Sequence, residues 1–326
     1  IIHFENCNAN CGLKGISDAI DKVNEFKVEY WNLCGNKALD FNYFSDIISK
    51  SNYPIKYLNL ANCEIEPDVT AKIFDALSEN DKMNQLQFLI YPGNKPFNQK
   101  CVSSFDSLIK KINKNSPELK YVDFSFMPIQ DFTNILESLN KYPSLPIETL
   151  VLRGFDTETG SSPLNDLQLF ISNSSYLKKL DLSDMKIQER THENLSDIIQ
   201  WIAFNQKLSK FELCMNNLQL SGNNTLILFR AFLTNPESRD SSTTSRMNKS
   251  SKRNALLANE HLGLSKWKSL SFDRNGMTSD DLANLLPLFQ RMTNLEELSF
   301  NDNFNSDMPG IEENLEKLLG IQKKTR

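Results

Sequence analysis

The chain has 326 residues, 40% hydrophobic and 24% charged, with a formal net charge of −5. That length allows a large buried core, and the composition is that of an ordinary folded protein. The acidic balance argues against nucleic acid as a partner, because phosphate binding needs a basic stripe, and no apolar run approaches the roughly 20 residues that cross a bilayer.

The first residues, Ile1 to Asn6, lack the charged start and apolar middle of a secretory signal. They already fall inside a pattern that recurs to the end of the chain, so the sequence reads as an excerpt of a longer protein. Ile2, Phe4 and Cys7 form a partial copy of L-x-x-L-x-L-x-x-N/C-x-L. Full copies begin at Val28, Ile55, Leu86, Leu119, Ile147, Leu177, Leu208, Trp267 and Leu295. Apart from the step from Leu208 to Trp267, the starts are 27 to 33 residues apart. Such periodicity is the mark of a repeat architecture.

Within each copy, the two apolar residues two apart, such as Leu58 and Leu60, face the same side of a short strand. Apolar residues three and four apart follow, as a helix requires. Phe105, Leu108, Ile109 and Ile112 make one such face, Leu195, Ile198, Ile199 and Ile202 another, and Leu282, Leu285, Leu286 and Phe289 a third. Helix starts are signalled by Pro67 after Glu66, Pro163 after Ser162, and Thr278 to Asp281. One strand and one helix cannot bury their own apolar face, so neighbours must stack. The pattern predicts an α/β fold: one leucine-rich-repeat domain over 1–326, a horseshoe or arc of about ten repeats with a parallel inner sheet and outer helices.

Repeat lengths near about 29 residues with a full helix resemble the ribonuclease-inhibitor type of leucine-rich repeat rather than the shorter extracellular type. The resemblance covers nearly the whole chain. Proteins of this subclass include ribonuclease inhibitor, the GTPase-activating protein for Ran, tropomodulin and the CARMIL regulators of actin capping protein. It implies a cytosolic protein-binding scaffold, in cytoskeletal or small-GTPase signalling. Two rival roles are a GTPase activator of the Ran-activator kind and a structural spacer between flanking domains.

The Asn/Cys position is filled in turn by Cys7, Asn36, Cys63, Asn94, Met127, Phe155, Met185, Asn216, Asn275 and Asn303. Three successive middle repeats lack a polar side chain there, which predicts irregular turns or bridging water between Met127 and Met185. Between Leu208 and Trp267, residues 237–260 form a polar Ser/Thr-rich and basic stretch without periodicity, expected to be a disordered insertion. It reads either as a tolerated surface loop or as a phosphorylatable segment in weak contact with a partner or an anionic membrane through Lys249, Lys252 and Arg253. Neither end carries a polar cap, so further repeats, flanking domains or an oligomer contact are expected to cover them.

Nothing in the sequence calls for catalysis, a metal or a cofactor. The phosphate-loop, dinucleotide, nucleophile-elbow and zinc-helix motifs are absent, and His3, His192 and His261 fall in different repeats. The six cysteines form no C-x-x-C pair and read as reduced cytosolic thiols. The acidic runs Asp273-Arg274-Asn275 and Asn301-Asp302-Asn303 coincide with repeat turns, where Asn is the pattern residue.

Register selects the surface that would bind a partner. The residue just before the second leucine of each strand points away from the core. It is Tyr30, Tyr57, Phe88 and Tyr121 in four successive repeats, then Thr149, Lys179, Lys210, Ser269 and Glu297. The four aromatics should form one column on the concave sheet and anchor a protein partner. Asn32, Asn59, Ile90 and Asp123 lie in the next column, and Arg153 lies further along the sheet.

Overall fold

A computed structural model describes residues 1–7, 12–20, 22, 26–81, 85–114, 117–154, 162–185, 191–205, 207–233, 263–304 and 308–322. The inserted stretch 237–260, with Lys249, Lys252 and Arg253, and Phe155 lie outside the described residues. The fold divides into two compact units, Ile1–Phe155 with Asn173–Leu177, and Asp156–Ser172 with Lys178–Arg326.

In the first unit, strands β1 (Ile2–His3), β2 (Tyr30–Asn32), β3 (Tyr57–Asn59), β4 (Phe88–Ile90), β5 (Tyr121–Asp123) and β6 (Thr149–Val151) pair in chain order. All of these pairings are parallel. Helices α1 (Gly12–Ile20), α2 (Asn42–Lys50), α3 (Pro67–Glu79), α4 (Gln99–Lys114) and α5 (Ile129–Asn140) connect them. The second unit holds most of α6 (Ser162–Asn173), then β7 (Lys179–Asp181), α7 (Thr191–Phe204), β8 (Phe211–Cys214), α8 (Asn223–Leu233), β9 (Trp267–Ser271), α9 (Ser279–Phe289), β10 (Glu297–Ser299) and α10 (Ile311–Gln322). Its strands are also parallel and in chain order.

The strand alternation sets the core. Trp31, Leu58, Leu89, Val122 and Leu150, the middle residues of β2 to β6, are all buried, as are the three helix faces read from the sequence. Pro67 opens α3 with Glu66 before it, since a missing N–H costs nothing in the first turn. Thr278 caps α9 in a reciprocal pair with Asp281. Trp31 and Trp267 are buried packing residues, while Trp201 on α7 is half-buried. An aromatic cluster (Phe74, Tyr91, Phe97, Phe105 and Phe124) fills the first unit behind β4 and β5, with ring centroids 5.4–6.4 Å apart.

Each strand leaves through a turn with a left-handed residue at the matching place: Asn6, Gly35, Asn62, Gly93, Phe126, Gly154, Asp184, Asn217, Arg274 and Asp302. In most of these turns its N–H donates to the next repeat, as in Asn62 to the Pro92 carbonyl (2.8 Å), Phe126 to the Arg153 carbonyl (2.7 Å) and Asp184 to the Asn216 carbonyl (2.8 Å). The irregular turns expected at Met127 and Met185 do not occur. Both methionines are buried, and their turns match the asparagine-bearing ones.

Two side-chain ladders explain this regularity. At Asn36, Asn94, Asn275 and Asn303 the buried amide donates to the carbonyl that ends the preceding strand and accepts an N–H from the preceding turn. Cys63 makes the donor half of this contact, its thiol reaching the Leu33 carbonyl. Where methionine stands instead, a serine two residues earlier takes over. Ser125 Oγ accepts the Arg153 N–H (3.1 Å), and Ser183 Oγ accepts the Asn216 N–H (3.1 Å). Asn216 Oδ1 and Asp273 Oδ1 continue that second ladder by accepting the N–H of Asp273 (2.8 Å) and of Asn301 (2.7 Å).

Asn216 therefore does not occupy the asparagine position expected of it. Leu213 pairs with Leu180, which moves β8 by two residues relative to the sequence reading, and the β8–β9 pairing carries an irregularity between Phe211 and Glu212. Leu218 takes the interior turn position, its N–H bound by Asn275 Oδ1 (2.6 Å), and Glu212 replaces Lys210 beside Lys179 and Ser269.

Candidate protein-interaction site

The four aromatics expected on the open face of the sheet are brought together. Tyr30, Tyr57, Phe88 and Tyr121 are paired in register across β2 to β5 and all half-buried. Tyr30 and Tyr57 stack at 3.9 Å between ring centroids and 9° between planes. Tyr57 to Phe88 (5.7 Å) and Phe88 to Tyr121 (5.8 Å) are tilted contacts. His3 adds a fifth ring, 5.0 Å from Tyr30. Burial, together with the bonded and adjacent Tyr30 hydroxyl, raises the Tyr57 phenol above its ordinary pKa, so it stays a neutral hydroxyl.

The neighbouring column has a different task. Asn32 is buried, donates to Glu5 (3.2 Å) and accepts the Cys34 N–H (3.3 Å). Asn59 accepts the Ala61 N–H (3.0 Å), and Asp123 accepts from Ser125 N–H (2.9 Å) and Oγ (2.7 Å). These side chains hold the turn that follows them, as Asn and Asp do where a chain reverses. Arg153 lies beyond β6 in its turn, its guanidinium 6.0 Å from the Phe126 ring centroid. It is therefore separate from the column, beside an exposed aromatic.

Sequence reasoning missed two features. A groove of about 770 Å³ is lined by Tyr30, Tyr57 and Phe88 of the column together with Tyr53, Lys27 and Lys56. Tyr53 belongs to the loop before β3, where no periodicity marks it. The other is Phe126, 54% exposed at a left-handed turn position that favours Asn or Gly. Its mismatch with that position was the available signal.

Among the described residues, no group of three or more His, Cys, Asp or Glu is placed to hold a metal ion, and no helix is long and apolar enough to cross a membrane. Cys7, Cys34, Cys63, Cys101 and Cys214 are free thiols, and burial raises the pKa of Cys63 to about 12.

No protein-family model and no curated protein matches this chain. Among solved structures it is similar to the leucine-rich-repeat-containing protein LegL7 of Legionella pneumophila, at TM-score 0.50 and 14% identity over 98% of this chain and 89% of that one. It is also similar to the Rad7 and Elc1 complex of yeast (TM-score 0.37, 10% identity, 91% and 77% covered). A third similar structure is an internalin of Listeria monocytogenes (0.32, 13%, 94% and 93%). With parallel strands that alternate with helices at the period of the sequence pattern, the likeness to LegL7 gives this chain an α/β leucine-rich-repeat fold.

Proposed function

We propose that this chain is a protein-binding scaffold that holds its partner on the open face of the first unit's sheet. The observation that carries the reading is the aromatic column: four half-buried rings, adjacent and in register. Aromatic side chains grouped on a surface are the usual anchors of protein interfaces, where one can contribute ~2 kcal/mol or more. Resemblance to the ribonuclease-inhibitor type of repeat supports a cytoplasmic regulator in cytoskeletal or small-GTPase signalling, non-catalytic and without cofactor. The remaining partner readings are a protein on the concave face rather than nucleic acid, a weak membrane contact through Lys249, Lys252 and Arg253, and oligomerisation through uncapped ends. The GTPase-activating alternative gains no support from Asn32 and Asn59, because both are engaged in their own turns.

The test is a lysate pull-down read by mass spectrometry, comparing the chain with a Tyr57→Ala/Tyr121→Ala variant that still melts cooperatively. A partner captured by the first and lost by the second supports the reading. Equal capture by both, or no capture, removes the column as the site.

A further inference from the structure

We infer that the lysine cluster where β8 and β9 begin, Lys207, Lys210 and Lys266, takes an acidic segment of a protein partner. The cluster lies wholly in the second unit and stands without the aromatic column.

Asn205, the residue after α7, gathers two of the lysines. Its N–H closes the helix on the Trp201 carbonyl (3.0 Å), and its side-chain amide donates to the Ile171 carbonyl of the preceding repeat (2.8 Å). Fixed in this way, it accepts from the Lys266 ammonium at its own carbonyl and from the Lys207 N–H at Oδ1 (2.9 Å). Strand pairing brings in the third lysine. Phe211 pairs with Trp267 and its N–H donates to the Lys266 carbonyl (2.7 Å), so Lys210 and Lys266 stand at the start of adjacent strands.

Two of these placements work against the fold. Lys210 is exposed and left-handed, with φ of 53°, a backbone state that glycine adopts with less strain. Lys266 is half-buried, and burial lowers the pKa of its ammonium to about 8. Among the described residues no carboxylate pairs with Lys207, Lys210 or Lys266. The acidic groups of neighbouring positions, Glu212, Glu296 and Glu297, gather instead on Lys268, which is bonded to Glu212 at 2.8 Å. Backbone strain and uncompensated positive charge held together on a surface fit a site that an anionic ligand completes.

The adjoining carboxylates decide the form of that ligand. A membrane surface or a nucleic-acid backbone presents its charge as a continuous array, which would also meet Glu212, Glu296 and Glu297. A short run of Asp or Glu side chains can settle on the lysines alone. Acidic peptide is therefore the class that the local charge pattern favours.

The experiment uses the full chain and two short fluorescein-labelled peptides, one of Glu and Gly and one of Ser and Gly, read by fluorescence anisotropy. We expect saturable binding of the Glu/Gly peptide alone, weakening as salt is raised. Lys207→Glu/Lys210→Glu should weaken it about tenfold. The same charge change at Lys100→Glu/Lys110→Glu, exposed on α4, should alter it by less than about twofold. Lys210→Gly should weaken binding about threefold and yet raise the urea midpoint, because the left-handed strain is relieved. A Glu/Gly peptide held no tighter than Ser/Gly, equal losses in the two double variants, or parental affinity in Lys210→Gly overturns the inference. Capture of phosphatidylserine/phosphatidylcholine vesicles that Lys207→Glu/Lys210→Glu abolishes, without binding of the Glu/Gly peptide, also overturns it and makes the cluster a membrane contact.

Discussion

Phe126 lies across Gly154. A Cβ added at Gly154 would overlap Cδ1 of the Phe126 ring, and both residues are left-handed, with φ of 59° and 68°. Asn6 lies on Gly35 and Asn62 on Gly93 in the same way, so in the first unit a side chain at one turn requires its absence at the next. Gly154→Ala should cost roughly 2–4 kcal/mol, from the left-handed penalty and the overlap together. Gly222→Ala, also left-handed but with nothing near its missing Cβ, should cost about 1 kcal/mol. Urea unfolding of both variants checks this, and equal losses would show that overlap with Phe126 contributes nothing.

The two turn ladders should fail by similar amounts. Asn94→Ala leaves the Leu60 and Tyr91 carbonyls and the Ile65 N–H without their buried partner, a loss of roughly 2–4 kcal/mol. Ser125→Ala removes the acceptor of the Arg153 N–H and should cost about 1–2 kcal/mol. Denaturation midpoints decide the point: a silent Ser125→Ala would mean that the turn before Met127 needs no substitute for asparagine.

Asp131, at the start of α5, is 2% exposed and accepts the Phe97 N–H at 2.9 Å. Burial raises its pKa from the ordinary 3.8 to about 6, against the lowering effect of that bond. The fold thus favours the protonated acid. Its contribution is fully present below pH about 4 and is lost as the pH rises through about 6, a change of roughly 2–3 kcal/mol. Asp131→Asn keeps an acceptor for Phe97 and does not titrate. Unfolding between pH 4 and pH 7 should show a flatter profile for the variant and greater stability than the parent at pH 7.

In the second unit, Asp281 acts twice: it closes the capping pair with Thr278, and its Oδ1 accepts the Gly222 N–H (2.9 Å) from the preceding repeat. Thr278→Ala should cost about 1 kcal/mol, as a lost cap does. Asp281→Ala should cost roughly 2–3 kcal/mol because an inter-repeat bond goes as well. Equal losses in thermal melts would reduce Asp281 to a capping residue.

The sequence alone determined the strands, their parallel order and the aromatic column. A side-chain period of two and a repeat spacing set by one helix leave no other way to bury Leu58, Leu60 and their counterparts. The register of β8 was beyond it. Leu208, Phe211, Leu213, Met215, Leu218 and Leu220 fit the apolar pattern in two settings, because a shift of two residues keeps every side chain on its face. Only pairing with Leu180 and the ladder bond from Asn275 decided between them. The second ladder was equally hidden, since Ser125 and Ser183 become acceptors only when the next repeat's turn is stacked against them. The groove needed the tertiary structure for the same reason: Tyr53 carries no periodic signal, and its position beside Tyr57 is set by how the loop before β3 packs against the strand.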